Sequence, residues 1–335
     1  MMTEQELNQA LSRPSEALKQ SLQSIGGDVL IVGAGGKMGP TLAVMARRAL
    51  PPQHRVIAVS RFSDPEAKKL LEDHGVEMVH CELTDPAEVA RIPQCENVIF
   101  MAGRKFGTSQ GACETWEMNA VVPSLVSRHL GDARYVVFST SNVYPFARPQ
   151  DGGCTEDRIP APVGEYAASC LGRERVFEYA AAHWGARVLK FRLSYAIDLR
   201  YGILNDLCRW ILNGQQVPLG VPAFNCVWQR YANEAALRSL TLADVSCPAL
   251  NVTGPGTVSV RQAATKLAQL LGKDVSFADE EGETGILCNS QKCMGLFGYP
   301  DVSLDEMLHM QAEWILGGGR CLGKPTHFEE QKGRF

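Results

Sequence analysis

Residues 28–50 read DVLIVGAGGKMGPTLAVMARRAL, and the fold is decided there. Val29-Leu30-Ile31-Val32 is a short unbroken apolar run, the character of a strand buried on both faces of a parallel sheet. Glycines follow at Gly33, Gly35, Gly36 and Gly39, with Lys37 and Met38 between them. Beyond them Leu42, Met45, Ala46 and Ala49 fall on one side of a helical projection, with Arg47 and Arg48 on another. Strand, glycine loop and helix start together make a phosphate cradle. Glycine lets the backbone turn sharply and approach a pyrophosphate, while free amides and the dipole of the helix start favour its charge. The reading is dinucleotide binding. Gly33, Gly36 and Gly39 follow G-x-x-G-x-x-G, but Gly33, Gly35 and Gly39 partly satisfy G-x-G-x-x-G as well, so the loop alone does not choose between them.

Working outward, 335 residues suffice for one large domain or two merged ones. The charge is nearly balanced, with no basic block, which argues against nucleic acid or an anionic membrane as partner. No apolar run approaches the ~20 residues of a membrane span. Residues 1–27 are polar, without the apolar centre of a signal peptide. The eleven cysteines lack C-x-x-C spacing and the histidines lack metal spacing, so reduced thiols, a cytoplasmic location and no metal are expected.

In chain order, residues 3–25 read as a helical appendage broken at Pro14, whose removal is expected to leave cofactor binding intact. Strands are expected at 55–59, 76–81, 97–102, 134–139 and 187–193, with helices at 116–130 and 167–184. The second strand ends in Ser60-Arg61, where an NAD-preferring fold would carry a carboxylate for the adenosine ribose. Arg61 offers a planar cation for a 2′-phosphate, with Lys37 nearby, so NADP is preferred to NAD. From about residue 198 helical pieces at 204–213 and 235–243 alternate with loops, and 250–252 reads as a late strand. The tail, GKPTHFEEQKGRF, is open to two readings, an arm onto a second copy in a homodimer or a disordered end.

Four later segments bear on the choice left open by the loop. Glu82-Leu83-Thr84-Asp85 follows the third strand, and Met101-Ala102-Gly103-Arg104-Lys105-Phe106-Gly107 ends the fourth. Asn119 stands in the next helix, and the fifth strand runs into Ser139-Thr140-Ser141-Asn142-Val143-Tyr144. Thr155-Glu156, Pro162 and then Tyr166-Ala-Ala-Ser169-Cys170-Leu-Gly-Arg-Glu174 complete the set. In this order they resemble the NAD-dependent epimerase/dehydratase family, the extended short-chain dehydrogenase/reductases, over residues 28 to about 300. The family's pattern is Y-x-x-S-K-x-x-x-E, and its lysine is Cys170 here.

The resemblance implies a doubly wound parallel sheet, a Rossmann domain over 28–197, with a smaller substrate lobe over 198–318 and a polar tail at 319–335. It implies Tyr166, Thr140 and position 170 as the catalytic set. Cofactor contacts are expected from Gly33, Gly35, Gly36, Lys37, Met38, Gly39, Ser60, Arg61, Glu82, Leu83, Met101, Ala102, Gly103, Lys105, Asn119, Ser139, Leu193 and Tyr195, with Tyr166 beside them. In the lobe Arg200, Tyr201, Trp228, Gln229 and Arg230 are candidate contacts to a sugar or sugar-nucleotide substrate. An unperturbed tyrosine has a pKa near ~10, so bringing it to neutrality takes roughly 4 kcal/mol of differential stabilisation. The family's lysine supplies part of that. A thiol at 170 is neutral and a thiolate there would oppose it. Lys105 and Arg173 are the cations that could stand in. Two functions compete: an active enzyme with a rebuilt charge environment, or a dinucleotide-binding sensor or scaffold that has lost turnover.

Overall fold

Val29–Val32 (β1) is buried at every residue, as its four apolar side chains require of a central strand. In the computed structural model, which describes residues 2–108, 110–278 and 280–334, it lies in a seven-stranded parallel sheet. The other strands are Val56–Ser60 (β2), Glu77–His80 (β3), Asn97–Phe100 (β4), Arg134–Thr140 (β5), Arg187–Leu193 (β6) and Ala249–Val252 (β7). Their order is β7-β6-β5-β4-β1-β2-β3. After β3 the chain crosses β1 to lay down β4, so the order reverses between β1 and β4. Register levels the carboxyl ends there: Val32 pairs with Val59 of β2 and with Phe100 of β4. Crevices at such a reversal are where open parallel sheets bind ligands.

Helices cover both faces. Leu42, Met45 and Ala46 of the Gly39–Ala49 helix pack with Ile31 and Ala58 on one side. Phe177 and Ala180 of the Gly164–Trp184 helix pack with Phe100 and Tyr135 on the other. The helix expected at 116–130 is continuous in space but passes through a π-helical turn, Glu117–Val121, between Ala112–Trp116 and Val122–Leu130.

Chain position does not divide the molecule at residue 198. Residues 203–212 enter a second core with the Val260–Leu271 and Leu304–Leu316 helices. The chain then returns: the Gln229–Arg238 helix packs on the first core, and β7 adds to the sheet beside β6. That helix begins earlier than the expected 235–243 segment. Among the described residues no helix is long and apolar enough to cross a membrane.

Both termini depart from expectation. Residues 3–25 form two helices, Glu4–Leu11 and Glu16–Ile25, joined across Pro14. Leu7 and Leu11 are fully buried in the second core and Leu18 and Leu22 in the first, so the segment ties the two together. Asn233 donates to the Leu11 carbonyl and Ser15 to Glu234. The segment is part of the body, not an appendage. The tail folds back on its own chain, with Phe328 buried against Trp210 and Phe224.

Candidate active site

The glycine loop leaves the buried end of β1 and must fit against its neighbours. A Cβ on Gly33 would lie 2.5 Å from the Ala102 amide nitrogen, and one on Gly39 would collide with the Ala34 backbone. Gly33 also holds a φ of 88°, so both positions admit only glycine. Gly35 is filled from the side by Ser60. Gly36 differs: a Cβ there would meet only the Gly33 carbonyl at 3.5 Å. Nothing in the protein demands glycine at 36, and the space beside it opens on the cavity. The following helix starts without a side-chain cap, leaving amides for an anion.

That loop forms one wall of a cavity of about 670 Å³. Gly33, Gly35, Gly36, Lys37 and Met38 line it, with Met101, Gly103 and Lys105 from the end of β4. Ser139 and Thr140 come from β5, Tyr166 from the Gly164–Trp184 helix, and Leu193 and Tyr195 from the end of β6. Five elements that are remote in sequence therefore meet at the reversal point. Tyr195 bends the chain out of β6 at a φ of 32°, a left-handed conformation costing about 1–3 kcal/mol for a non-glycine residue.

Tyr166 is hydrogen-bonded through its side chain to Thr140 and to Cys170. Burial is the main cause that lifts its pKa well above the ordinary value, with Cys170 adding to the rise. Arg173 and Thr140 oppose it. Cys170 itself is 1 % exposed, does not line the cavity, and packs with Val143, Tyr144, Cys154 and Cys288. Burial raises its thiol pKa.

Two cations lie near Tyr166. Arg173, two turns beyond Tyr166 and lining the cavity, donates to the Phe138 carbonyl at 2.7 Å and to Asn119 at 2.6 Å. Lys105 Nζ lies 5.9 Å from the Tyr166 ring centre and 5.8 Å from that of Tyr195, and donates to the Thr326 carbonyl at 2.9 Å. Burial pulls Lys105 down to about 8, against the pull of Asp206 and Glu329. Lys37 turns inward, 3.2 Å from the Tyr201 ring centre, and burial with Lys105 and Lys324 brings it to about 7. It thus faces Tyr201 and Phe106 and does not join Arg61.

Several expected contacts stand behind the wall. Asn119 is fully buried and clamps the 103–105 loop, accepting from the Arg104 amide and donating to its carbonyl and to Ser169. Gly39, Ala102 and Leu83 are buried in packing, and Ser60 fills the space beside Gly35. Arg61 and Glu82 form an exposed ion pair at 3.3 Å beside a neighbouring depression, outside the main cavity. Ser139 lines the cavity but donates to Glu174, which is buried against Arg192; Arg192 in turn donates to the Tyr144 hydroxyl. This chain of polar contacts fixes the end of β5 against the Gly164–Trp184 helix.

In the lobe, Arg200, Tyr201 and Gln229 reach the cavity. Arg200 is held by Asp198 and by Asn8, while Trp228 is buried in the second core and Arg230 pairs with Asp301. Sequence reasoning missed Glu4, Asn8, Phe106, Arg320, Leu322 and Lys324, which also line the cavity. Most belong to the two termini, and no spacing in a linear chain signals a contact such as Lys105 with Thr326, 221 residues apart.

Comparison with curated protein sequences yields no match. Among solved structures, MoeE5 in complex with UDP-glucose and NAD superposes with a TM-score of 0.71 at 22% identity, over 87% of this chain and 99% of that one. UDP-glucose 4-epimerase from Thermotoga maritima, with UDP-glucose, gives 0.71 at 18% over 87% and 99%. The epimerase Mth375 from Methanothermobacter thermautotrophicus gives 0.76 at 16% over 91% and 97%. These likenesses show a shared fold. The model of the NAD dependent epimerase/dehydratase family matches residues 29–197, half of the sequence and the whole run from β1 to the end of β6. The chain belongs to that family.

Proposed function

We propose that the protein is a nicotinamide-dependent enzyme that oxidises or reduces a hydroxyl-bearing carbon of a sugar or sugar nucleotide, as an epimerase, dehydratase or reductase. The observation that carries this reading is Tyr166, hydrogen-bonded to Thr140, in the wall of the cavity that the glycine loop also lines. Family membership supports the cofactor, and the sugar-nucleotide complexes among the neighbours support the substrate class.

The residues fit a dinucleotide. Gly36 leaves room for a pyrophosphate, the uncapped helix start and Lys37 supply positive potential, and Leu193 and Tyr195 bound the far end. When bound, the nicotinamide ring exchanges hydride with the substrate carbon and, in its oxidised form, adds positive charge to the site. In oxidation, Tyr166 takes the hydroxyl proton as the carbon gives up its hydride; in reduction it returns that proton to the oxygen. Thr140 donates to the same oxygen and orients it. With its pKa raised, Tyr166 stands protonated at neutrality and is ready as an acid; as a base it needs the charge of Arg173, which already opposes the rise, with Lys105 Nζ 5.9 Å from its ring centre.

The cofactor reading is NADP before NAD, with Arg61 as the residue that meets the 2′-phosphate. Its present partner, Glu82, is an exposed one, and such pairs hold by only about 0–1 kcal/mol. A second reading, a dinucleotide-binding sensor or scaffold without turnover, rests on Cys170. One experiment separates them: cofactor reduction followed by absorbance with a panel of sugars and sugar nucleotides. Turnover that Tyr166→Phe lowers by about 10²–10⁴-fold is expected. Cofactor binding with no turnover on any member would favour the sensor.

A further inference from the structure

Residues 320–334 run from the mouth of the cavity to the start of the catalytic helix. Arg320 pairs with Glu4 and Glu66, and the Leu322 amide donates to the Arg200 carbonyl. The Thr326 amide donates to Asp206, and its carbonyl accepts from Lys105. Phe328 is 4 % exposed against Trp210 and Phe224, in the core of the lobe. Gln331 donates to the Gly220 carbonyl, and the Gly333 backbone sits where a Cβ on Gly164 would fall. A large aromatic in a core, buried polar contacts at Thr326 and further contacts at both ends make this a built wall.

The wall closes off the lobe. Of the described residues in 203–318, only Gln229 lines the large cavity. On the far side of Tyr195 and Asn142, toward Val221 and Phe224, the space left is about 10 Å³, capped by His327, Phe328 and Glu330. The cavity itself is about 670 Å³, and clefts of about 300–1,000 Å³ serve one drug-sized ligand each. Even with the adenosine 2′-phosphate outside it at Arg61, this volume is closer to a dinucleotide with a free sugar than to a dinucleotide with a second whole nucleotide.

We propose that the C-terminal strap fills the part of the interlobe cleft that a substrate's nucleotide would need, and that the substrate is a small polyhydroxylated compound, a free sugar or sugar acid not linked to a nucleotide. This rests on the hydride-transfer reading above and narrows its substrate. The sugar meets Tyr166, Thr140 and Tyr195, and the strap presents Lys324 to the same cavity.

The test is binding, which needs no turnover. UDP-glucose is titrated into the full-length, cofactor-loaded protein by calorimetry, and into Phe328→Ala, which loosens the strap without touching the reacting groups. Full-length protein is expected to show no binding up to millimolar UDP-glucose, and Phe328→Ala to bind it at least about ten-fold more tightly. Amide exchange over 324–332 reports whether the strap has loosened. Micromolar binding to the full-length protein overturns the proposal, as does an unchanged affinity once exchange shows the strap released. A panel of glucose, galactose, glucuronate and UDP-glucose is then assayed for Tyr166-dependent turnover. Turnover confined to the unlinked sugars supports the strap, and turnover of UDP-glucose contradicts it. Absence of Tyr166-dependent turnover on every compound contradicts the hydride-transfer reading, while the titration still decides the strap.

Discussion

Tyr166 and Cys170 lie one helical turn apart, and the thiol faces the phenol where the family pattern has an ammonium. The surroundings of Cys170 say what a lysine there would meet. The side chain is enclosed by Val143, Tyr144, Cys154 and Cys288, with Arg173 and Lys105 close enough to act on it. Cys170→Lys is therefore expected to overpack an apolar pocket, at about 1–3 kcal/mol, and to slow hydride transfer in single-turnover assays. A faster Cys170→Lys enzyme would mean that the native site lacks charge. Lys37 gives a pH signature. Its pKa of about 7 in the free cavity rises when a pyrophosphate arrives, because the anion favours the ammonium. Binding then takes up protons, and cofactor affinity is expected to fall as pH rises above about 7. Calorimetry in two buffers of different ionisation heat checks this; equal heats at pH 8 would remove Lys37 from the phosphate site.

At the scale of elements, the glycine loop separates packing from binding. Gly33→Ala sets a Cβ against Ala102 at a positive φ and is expected to lower Tm. Gly36→Val meets little protein, so Tm is expected to hold within a few degrees while cofactor affinity is lost. Equal Tm losses for both would show that Gly36 is there for packing. The N-terminal helices give the second element-scale result. Leu7 and Leu18 are fully buried in different cores, so Leu7→Ala and Leu18→Ala are each expected to cost about 2–5 kcal/mol in denaturant unfolding. Asn8 and Glu4 line the cavity, so removing residues 1–24 is expected to weaken cofactor binding as well as the fold. A truncated protein with native stability and affinity would return the segment to the status of an appendage.

Over the whole molecule, what was legible in sequence was what depends on near neighbours. β6 carries the bounds expected of it, and the apolar run, glycines and amphipathic helix around β1 are local patterns with local causes. Tyr166 and Thr140 came from the resemblance to the family's motifs, since a hydroxyl at a strand end or a tyrosine at a helix start is ordinary by itself. Asn119 was legible as a polar residue in a helix, but its clamp on the 103–105 loop follows from packing that no spacing encodes. The termini were opaque for the same reason. A polar tail with two isolated phenylalanines carries no period, yet Phe328 finds an aromatic pocket more than a hundred residues away in the chain. Arg61 and Lys37 looked like one patch in sequence and point to different places in space.

The proposed chemistry turns on proton exchange at Tyr166. The most direct measurement is single-turnover reduction of bound cofactor, native against Tyr166→Phe, at matched cofactor occupancy and with the substrate that the panel identifies. The expected result is unchanged cofactor affinity and a rate about 10²–10⁴-fold lower in Tyr166→Phe. Equal rates in the two proteins would remove tyrosine from the chemistry and contradict the account.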